Sequence, residues 1–216
     1  MENVLGRTMW VLNSVSGELL VRGDVELDEK YALPPWDEFV KVIQEVCFDS
    51  GVTSICRDAF CSCSLLRRVD LPRSLLRIGD SAFSYCEALR HIFIPESVEE
   101  ISPTSFEYNS ALESIELSPR NPHFELIDEV LFDKAESCII LCSPHKTGHY
   151  DIPSTVKDIC SSAFMCIFLT SITVPEGITT IKERAFAFND LLVSVKLPES
   201  LKVIETSAFE SCSRLS

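Results

Sequence analysis

Hydrophobic positions recur along the chain with a period of 23 residues. The apolar residues of 43–60 coincide with those of 66–83 after that shift, and the same arrangement returns at 89–106, 169–186 and 192–209. The shared template reads L-x-x-I-x-L-P-x-x-L-x-x-I-x-x-x-A-F. A fixed period of this length indicates a stack of similar turns, each of which buries its inward face against the next. The sequence therefore predicts a repeat solenoid.

Each part of the template predicts one structural element. The pair Ile92 and Ile94 has period two, which places both side chains on the inner face of a short strand. Pro95 then ends strand pairing because it has no N–H, and Val98 and Ile101 return along the opposite side. The Ala-Phe pair follows at the next corner, in a helical or 3₁₀ turn. The phenylalanines of these pairs are expected to stack as a buried spine: Phe83, Phe164, Phe186 and Phe209.

The repeat and its irregularities predict two parts of the chain. Residues 43–216 are expected to form a solenoid of seven turns, at 43–65, 66–88, 89–111, 112–146, 147–168, 169–191 and 192–214. The long fourth turn, 112–146, contains two apolar runs separated by a polar link, which indicates a hairpin. Residues 1–42 lack the template and contain a two-stranded ribbon pattern, so they are predicted to form a β-hairpin cap over the open end of the core.

The runs LPRSLLRIGDSAFSYCEAL and VPEGITTIKERAF resemble the BspA-type leucine-rich repeats of bacterial and protist surface proteins. The irregular run NPHFELIDEVLFDKAESCIILCSPHKTGHYDIP is similar to the long repeat of that family. The resemblance implies a β-rich leucine-rich-repeat solenoid of the α/β superhelix class, with short parallel strands and 3₁₀ or helical corner turns. It also implies a non-catalytic surface protein that acts in adhesion, in binding host matrix proteins or in attachment between cells.

Charge and hydropathy limit the partners. Acidic residues outnumber basic ones 33 to 19, and the net charge of −14 would repel a phosphate backbone, so no nucleic-acid partner is expected. No apolar run reaches the length of about 18 residues that spans a bilayer, so membrane insertion is not expected either. The N-terminal residues do not follow the pattern of a secretory signal. The compartment therefore stays open between the cell surface or medium, which the resemblance implies, and the cytoplasm.

Cysteines and asparagines interchange at one template position. Cys63, Cys86 and Cys212 correspond to Asn109 and Asn189. A disulfide or thiolate site would not tolerate asparagine, whereas a small inward side chain that bonds the backbone of a neighbouring turn could be either residue. We therefore predict a structural ladder at this position.

The chain also contains ligand types typical of zinc sites. Cys138, Cys142, His145 and His149 form C-x3-C-x2-H-x3-H. The two cysteines bracket an apolar strand and His149 falls on the strand of the next turn, so convergence on one ion would need a fold-back. No metal, no cofactor and no enzymatic activity are predicted, since the sequence also lacks a nucleophile elbow and a glycine-rich loop. A metal-dependent or hydrolytic enzyme that uses these residues is the alternative.

Outward strand positions are the candidate binding residues, because equivalent positions of a solenoid line up into a surface. Phe93 is the notable member, since an exposed aromatic ring among charged neighbours is a common binding anchor. The alternative is a solvated face with one stray aromatic side chain. The candidate partner-binding face, for a protein or glycan, consists of Arg68, Asp70, His91, Phe93, Glu116, His149, Asp151, Thr173 and Lys196.

The last residues suggest a second function. Leu215 occupies the first position of an eighth turn, and nothing in the sequence caps the seventh. An uncapped solenoid favours edge-to-edge self-association, or it indicates a fragment or a naturally short relative. A self-assembling structural element is therefore the alternative to a binding scaffold.

Overall fold

The computed structural model describes residues 2–5, 8–23, 34–134 and 137–216. They form a β-solenoid of short strands with almost no helix, divided into two compact units, Met1–Pro122 and His123–Ser216. Part of the predicted cap, 24–33, and residues 135 and 136 of the predicted hairpin link lie outside the described residues.

The strands of the first unit are β1 (Glu2–Leu5), β2 (Thr8–Asn13), β3 (Glu18–Arg22), β4 (Glu45–Phe48), β5 (Ser54–Ile55), β6 (Arg68–Asp70), β7 (Arg77–Ile78), β8 (His91–Ile94), β9 (Glu100–Ile101) and β10 (Ser114–Leu117). Those of the second are β11 (Phe124–Ile127), β12 (Val130–Asp133), β13 (Cys138–Cys142), β14 (Thr147–Asp151), β15 (Asp158–Ile159), β16 (Phe168–Thr173), β17 (Thr180–Ile181), β18 (Ser194–Lys196) and β19 (Val203–Ile204).

In the first unit an antiparallel ribbon continues into a parallel sheet. Strands β1, β2 and β3 pair antiparallel, and β3 then pairs parallel with β4, which pairs parallel with β6. The inward residues Trp10, Leu12, Leu19 and Val21 are buried, as their alternation along β2 and β3 requires. On the return side, β5, β7 and β9 pair parallel through Ile55, Ile78 and Ile101.

The second unit begins with an antiparallel sheet. Strands β11, β12 and β13 form a meander, with an irregularity in the register between Leu131 and Phe132. Strand β13 also pairs parallel with the return strand β15, so it occupies the return side of its own turn. Strands β14, β16 and β18 form a separate parallel sheet, and the return strands β17 and β19 pair with each other.

The predicted aromatic spine is present within each unit. In the first, Phe83 stacks between Phe60 and Phe106, with ring centroids 5.3 and 5.6 Å apart. Trp36 stacks on Phe60 at 5.2 Å, and its Nε1 donates to the Ala59 carbonyl at 2.7 Å. In the second, Phe186 lies 5.3 Å from both Phe164 and Phe209. Phe164 and Phe186 are buried as predicted, whereas Phe209 in the last turn is only partly buried.

The corners are single turns rather than continuous helices. Ala82 N–H donates to the Gly79 carbonyl and Ser84 N–H to the Ser81 carbonyl, which are 3₁₀-type bonds. Ser81 and Tyr85 have φ angles of 51° and 59°, and such left-handed residues prevent the turn from continuing as a right-handed helix. Among the described residues, the one 3₁₀ helix is Asp37–Phe39, and no helix has the length and apolar character needed to cross a membrane.

Burial is lower in the last turn than the template predicts. Leu197 and Ile204, which we predicted to face the interior, are 39% and 52% exposed. The preceding turn's equivalent of Ile204, Ile181, is completely buried because β19 pairs against it. Only one side of the last turn is packed by a neighbouring turn within the chain.

Candidate partner-binding faces

The first unit presents outward side chains from β6, β8 and β10. Along each of these strands the outward residues alternate with the buried Val69, Ile92 and Ile115. In the parallel register His91 lies beside Ser114, and Phe93 lies beside Glu116. We define the first strand face as Arg68, Asp70, His91, Phe93, Ser114 and Glu116.

Polar contacts order part of the first strand face. Arg68 makes a two-point contact with Asp70, with Nη2–Oδ2 and Nε–Oδ1 distances of 2.8 and 3.0 Å. Nδ1 of His91 lies 2.8 Å from the hydroxyl of Ser114 on the neighbouring strand. Phe93 is 50% exposed. The Arg68–Asp70 pair is itself exposed and adds little to stability.

The second unit has a more polar face. Strands β14, β16 and β18 place His149 beside Ser171, and Asp151 beside Thr173, which in turn lies beside Lys196. We define the second strand face as His149, Asp151, Ser171, Thr173, Ser194 and Lys196. The nine residues predicted from the sequence are thus distributed over two faces, one in each unit.

A hydrogen-bonded chain crosses the second strand face. Nδ1 of His149 lies 2.8 Å from Ser171 Oγ, and Nε2 lies 3.0 Å from Asp151 Oδ1. Because an ionised carboxylate only accepts, Nε2 carries a proton and donates it to Asp151. The repeat pattern predicts these residues on one surface but does not encode the bonds between them.

Hydrogen bonding changes the acidity of Asp151. The hydroxyl of Thr173 and the ring of His149 donate to the carboxylate and hold its pKa below the ordinary aspartate value, and the charge of Lys196 acts in the same direction. Asp151 is therefore a negative charge held beside the Thr173 hydroxyl, the His149 ring and the cation of Lys196.

Serine, imidazole and carboxylate in a chain are also the components of hydrolytic enzymes. Such catalysis depends on charge stabilisation in a site from which water is excluded. The side chains of His149 and Asp151 are 49% and 72% exposed on a sheet face. Water therefore screens the interactions of both side chains.

The residues of the zinc-like motif are engaged elsewhere. Cys138 and Cys142 are buried within β13, and His145 packs edge-on against Phe168 with ring centroids 6.1 Å apart. His149 belongs to the second strand face. Across the described ranges, no group of three or more His, Cys, Asp and Glu side chains lies close enough together to hold a metal ion.

The predicted cysteine and asparagine ladder is built on the spine carbonyls. The thiol of Cys86 donates to the Phe60 carbonyl at 3.3 Å, and that of Cys212 to the Phe186 carbonyl at 3.0 Å. Nδ2 of Asn189 donates to the Phe164 carbonyl at 2.7 Å. In each case the acceptor is the spine phenylalanine of the preceding turn, which explains why the two residue types interchange.

One exposed aromatic pair was missed. Tyr85 and Tyr108 stack at the corner of the first unit, with centroids 4.3 Å apart, and Tyr85 is exposed. Both follow a spine phenylalanine by two residues. Because the two tyrosines are 23 residues apart, they occupy the same template position in neighbouring turns, and this spacing indicates that their rings meet.

Comparisons with known proteins agree with this architecture. A family model described as "BspA type Leucine rich repeat region" matches residues 40–143 and 142–216, in six copies. A leucine-rich repeat protein from Eubacterium ventriosum is similar in structure over 100% of this chain and 70% of its own, with 25% sequence identity and a TM-score of 0.66. The pneumococcal vaccine antigen PcpA is similar in fold over 100% of this chain and 80% of its own, with 17% identity and a TM-score of 0.63. A search of curated protein sequences finds no match.

Proposed function

This chain belongs to the BspA-type leucine-rich-repeat family, and we propose that it is a non-catalytic, adhesin-like scaffold that binds a protein or glycan partner through its strand faces. Repetition supports this proposal, because each turn adds equivalent outward positions to a surface at little structural cost. The partner would be held by side chains whose positions the ladder of strands already fixes, which reduces the entropy lost on binding.

Phe93 carries the proposal for the first strand face. Half of this large apolar residue is in contact with water, although burying it would be favourable. It lies beside the charged Glu116. An aromatic anchor surrounded by polar and charged groups matches the arrangement of energetic hot spots in protein interfaces.

The second strand face supports a hydroxyl-rich partner. His149, Ser171 and Asp151 are already linked by hydrogen bonds, and Lys196 adds a cation. Donors and acceptors that are ordered before binding lose little conformational freedom when a ligand hydroxyl replaces water. This face suits a glycan better than the first face does.

The test begins with exposure at the cell surface. Intact source cells and lysed cells are treated either with an antibody against the protein or with a protease added to the medium, and antibody binding or cleavage is measured. An adhesin-like scaffold is expected to be accessible on intact cells. Protection until lysis would contradict the adhesin-like role and direct the search to partners inside the cell.

Binding variants then test the first strand face. The protein is screened against immobilised host-matrix proteins and a glycan array, and Phe93→Ala is compared with Tyr85→Ala. Both variants remove an exposed aromatic ring, but Tyr85 lies at a corner. We expect Phe93→Ala to weaken capture at least tenfold and Tyr85→Ala to leave it unchanged. Equal capture by wild type and Phe93→Ala would exclude the ring as an anchor.

The non-catalytic part of the proposal has a separate test. Hydrolysis of p-nitrophenyl acetate is measured for wild type, Ser171→Ala and Ser194→Ala. We expect the three rates to agree, as for a histidine-bearing surface without an active site. A rate that falls only in Ser171→Ala would show that the hydrogen-bonded serine is a nucleophile.

Self-association is the second candidate function, and exposure in the last turn favours it. Val203 and Ile204 are exposed, whereas a neighbouring turn covers the equivalent Ile181. A second copy would bury them in the same way. Sedimentation velocity at several concentrations should then show oligomers that Ile204→Asp abolishes. A monomer at every concentration would remove this candidate.

A further inference from the structure

Two thiols meet between neighbouring turns of the second unit. The sulfur atoms of Cys138, at the start of β13, and Cys160, directly after β15, lie 3.5 Å apart. The two strands are in parallel register, with Cys138 opposite Asp158 and Ile139 opposite Ile159. Cys160 N–H also donates to the Ile139 carbonyl at 3.0 Å. Backbone hydrogen bonds therefore fix the register in which Cys160 lies two positions beyond the residue opposite Cys138, on the neighbouring strand.

The pair differs from the ladder cysteines. Cys138 lies in the meander that interrupts the template. Cys160 follows a return isoleucine, where other turns have Cys56, Gly79, Ser102, Lys182 or Glu205. The interchange with asparagine that argues against disulfides at the ladder position does not occur here. Cys138 and Cys160 are 1% and 6% exposed, so both sulfurs are protected from bulk water.

The geometry needs only a small change to form a covalent bond. A disulfide has a sulfur–sulfur distance of about 2.05 Å, so the atoms must approach by about 1.5 Å. Rotation of the two side chains about χ1 changes the distance between the sulfur atoms. Cys138 and Cys160 are offset by two positions in the register of the paired strands, so their side chains extend from the same face of the sheet.

We propose that Cys138 and Cys160 are a site of reversible disulfide formation that links β13 to β15. With glutathione disulfide as the oxidant, the thiolate of one cysteine attacks a glutathione sulfur and releases one glutathione thiolate. The second cysteine loses its proton and attacks the protein-bound sulfur of the mixed disulfide, which releases the second glutathione. The two protein thiols lose two electrons and two protons, and glutathione disulfide becomes two glutathione molecules.

The surroundings favour a stable bond over rapid exchange. The hydrogen bond with Cys160, together with burial, holds the pKa of Cys138 well above the ordinary thiol value, so little thiolate is present near neutral pH. The carboxylates of Asp133 and Asp158 raise the pKa of Cys138 further. The ammonium of Lys182, which pairs with Asp158, lies within electrostatic reach of both sulfurs. The bond should form slowly and, once formed, resist reduction in its buried position.

The test uses the folded, full-length chain. The protein is equilibrated in glutathione buffers from reducing to oxidising, quenched with acid, denatured, alkylated with N-ethylmaleimide and mapped by mass spectrometry. We expect a Cys138–Cys160 linked peptide that is absent under reducing conditions. Oxidation should raise the Tm of the wild type by roughly 5–10 °C, because the bond links residues that are 22 positions apart in the sequence.

Variants separate the pair from other cysteines. Cys160→Ser should abolish both the linked peptide and the Tm rise. Cys142→Ser is the matched control, because Cys142 is buried in the same strand and its thiol bonds the Ser143 carbonyl. It should keep both effects. Full alkylation of Cys138 and Cys160 in the wild type at the most oxidising ratio would overturn the proposal, as would linkage of either residue mainly to another cysteine.

Discussion

The rings of Phe60 and Phe83 stack with their centroids 5.3 Å apart and their planes only 9° from parallel. The backbone follows the same step, since Phe60 N–H donates to the Ala82 carbonyl at 2.8 Å. One corner of the first unit is therefore joined both by aromatic contact and by main-chain hydrogen bonds. Cohesion between turns depends on the corner as well as on the strands.

Loss of one spine ring should destabilise the protein strongly. Phe83 is completely buried between two other rings, so Phe83→Ala is expected to lower the free energy of unfolding by about 3–5 kcal/mol. Phe93→Ala is the control, because half of that residue is already in water and its loss should change stability by less than about 1 kcal/mol. Urea denaturation measures both. Equal, small changes would show that the spine is not a major source of stability.

The ladder asparagine should tolerate cysteine better than alanine. Asn189 accepts from Ile167 N–H and donates to the Phe164 and Phe186 carbonyls. Asn189→Ala leaves these buried groups without that partner. The free energy of unfolding should fall by about 1–3 kcal/mol for each group that stays unsatisfied. Asn189→Cys restores a donor to the preceding spine carbonyl, as Cys86 does, so its loss of stability should be smaller.

Asn109 provides a comparison within the same ladder. Its Oδ1 accepts from Cys86 N–H, but its buried Nδ2 has no hydrogen-bond acceptor among the described residues. Asn109→Ala therefore removes fewer bonds and should cost less than Asn189→Ala. If chemical denaturation shows that Asn109→Ala is the more destabilising variant, side-chain hydrogen bonds are not the reason for asparagine or cysteine at this template position.

The sequence predicted the repeat architecture because the inward residues are fixed by a shared period. A shift of one residue would move Ile92 and Ile94 from the core to the surface, so the pattern determines which side of each strand is buried. The interchange of Cys86 and Asn189 likewise identified a corner ladder before the acceptor was known. Both features follow from template positions that repeat in the sequence.

Contacts outside the template were not predictable in this way. Lys146 is buried, its ammonium lies 2.6 Å from Asp128 Oδ2, and the same ammonium sits 4.5 Å from the centre of the Tyr150 ring. Neither partner has a template relationship to Lys146. The contact between Cys138 and Cys160 has the same origin, because the meander sets that register. The hydrogen bonds of His149 depend on rotamers, which the pattern does not encode.

A methyl group at Gly79 should be destabilising for steric reasons. A Cβ atom there would lie 2.8 Å from both Arg57 N and the Cys56 carbonyl carbon, which are backbone atoms that cannot rotate away. Gly79→Ala is expected to reduce stability by about 1–3 kcal/mol and to lower Tm accordingly. Gly51→Ala is the control, because nothing lies within 4 Å of its Cβ position. If Gly79→Ala leaves the free energy of unfolding unchanged, the two turns can move apart easily enough to accommodate the methyl group.

The titration of Asp151 tests the geometry of the second strand face. Thr173 is the main cause of its lowered pKa and His149 the next, so Thr173→Val should raise the pKa toward the ordinary value of about 3.9. Thr170→Val is the matched control on the same strand, since the Thr170 hydroxyl donates to the Gly148 carbonyl. Carboxyl carbon NMR between pH 2 and 6 measures the shift.

The same titration predicts a pH effect with a definite sign. A carboxylate whose folded pKa is lowered stabilises the folded state at pH values above its unfolded pKa, and that contribution is lost as pH falls through the folded pKa. The stability difference between wild type and Thr173→Val should therefore shrink as the solution is acidified below about pH 4. Because Asp151 is exposed, added salt should reduce only the part of the shift that comes from Lys196 and charged His149. If the pKa of Asp151 is the same in wild type and Thr173→Val, the Thr173 hydroxyl does not hold this carboxylate. The second strand face would then not be ordered before a ligand binds.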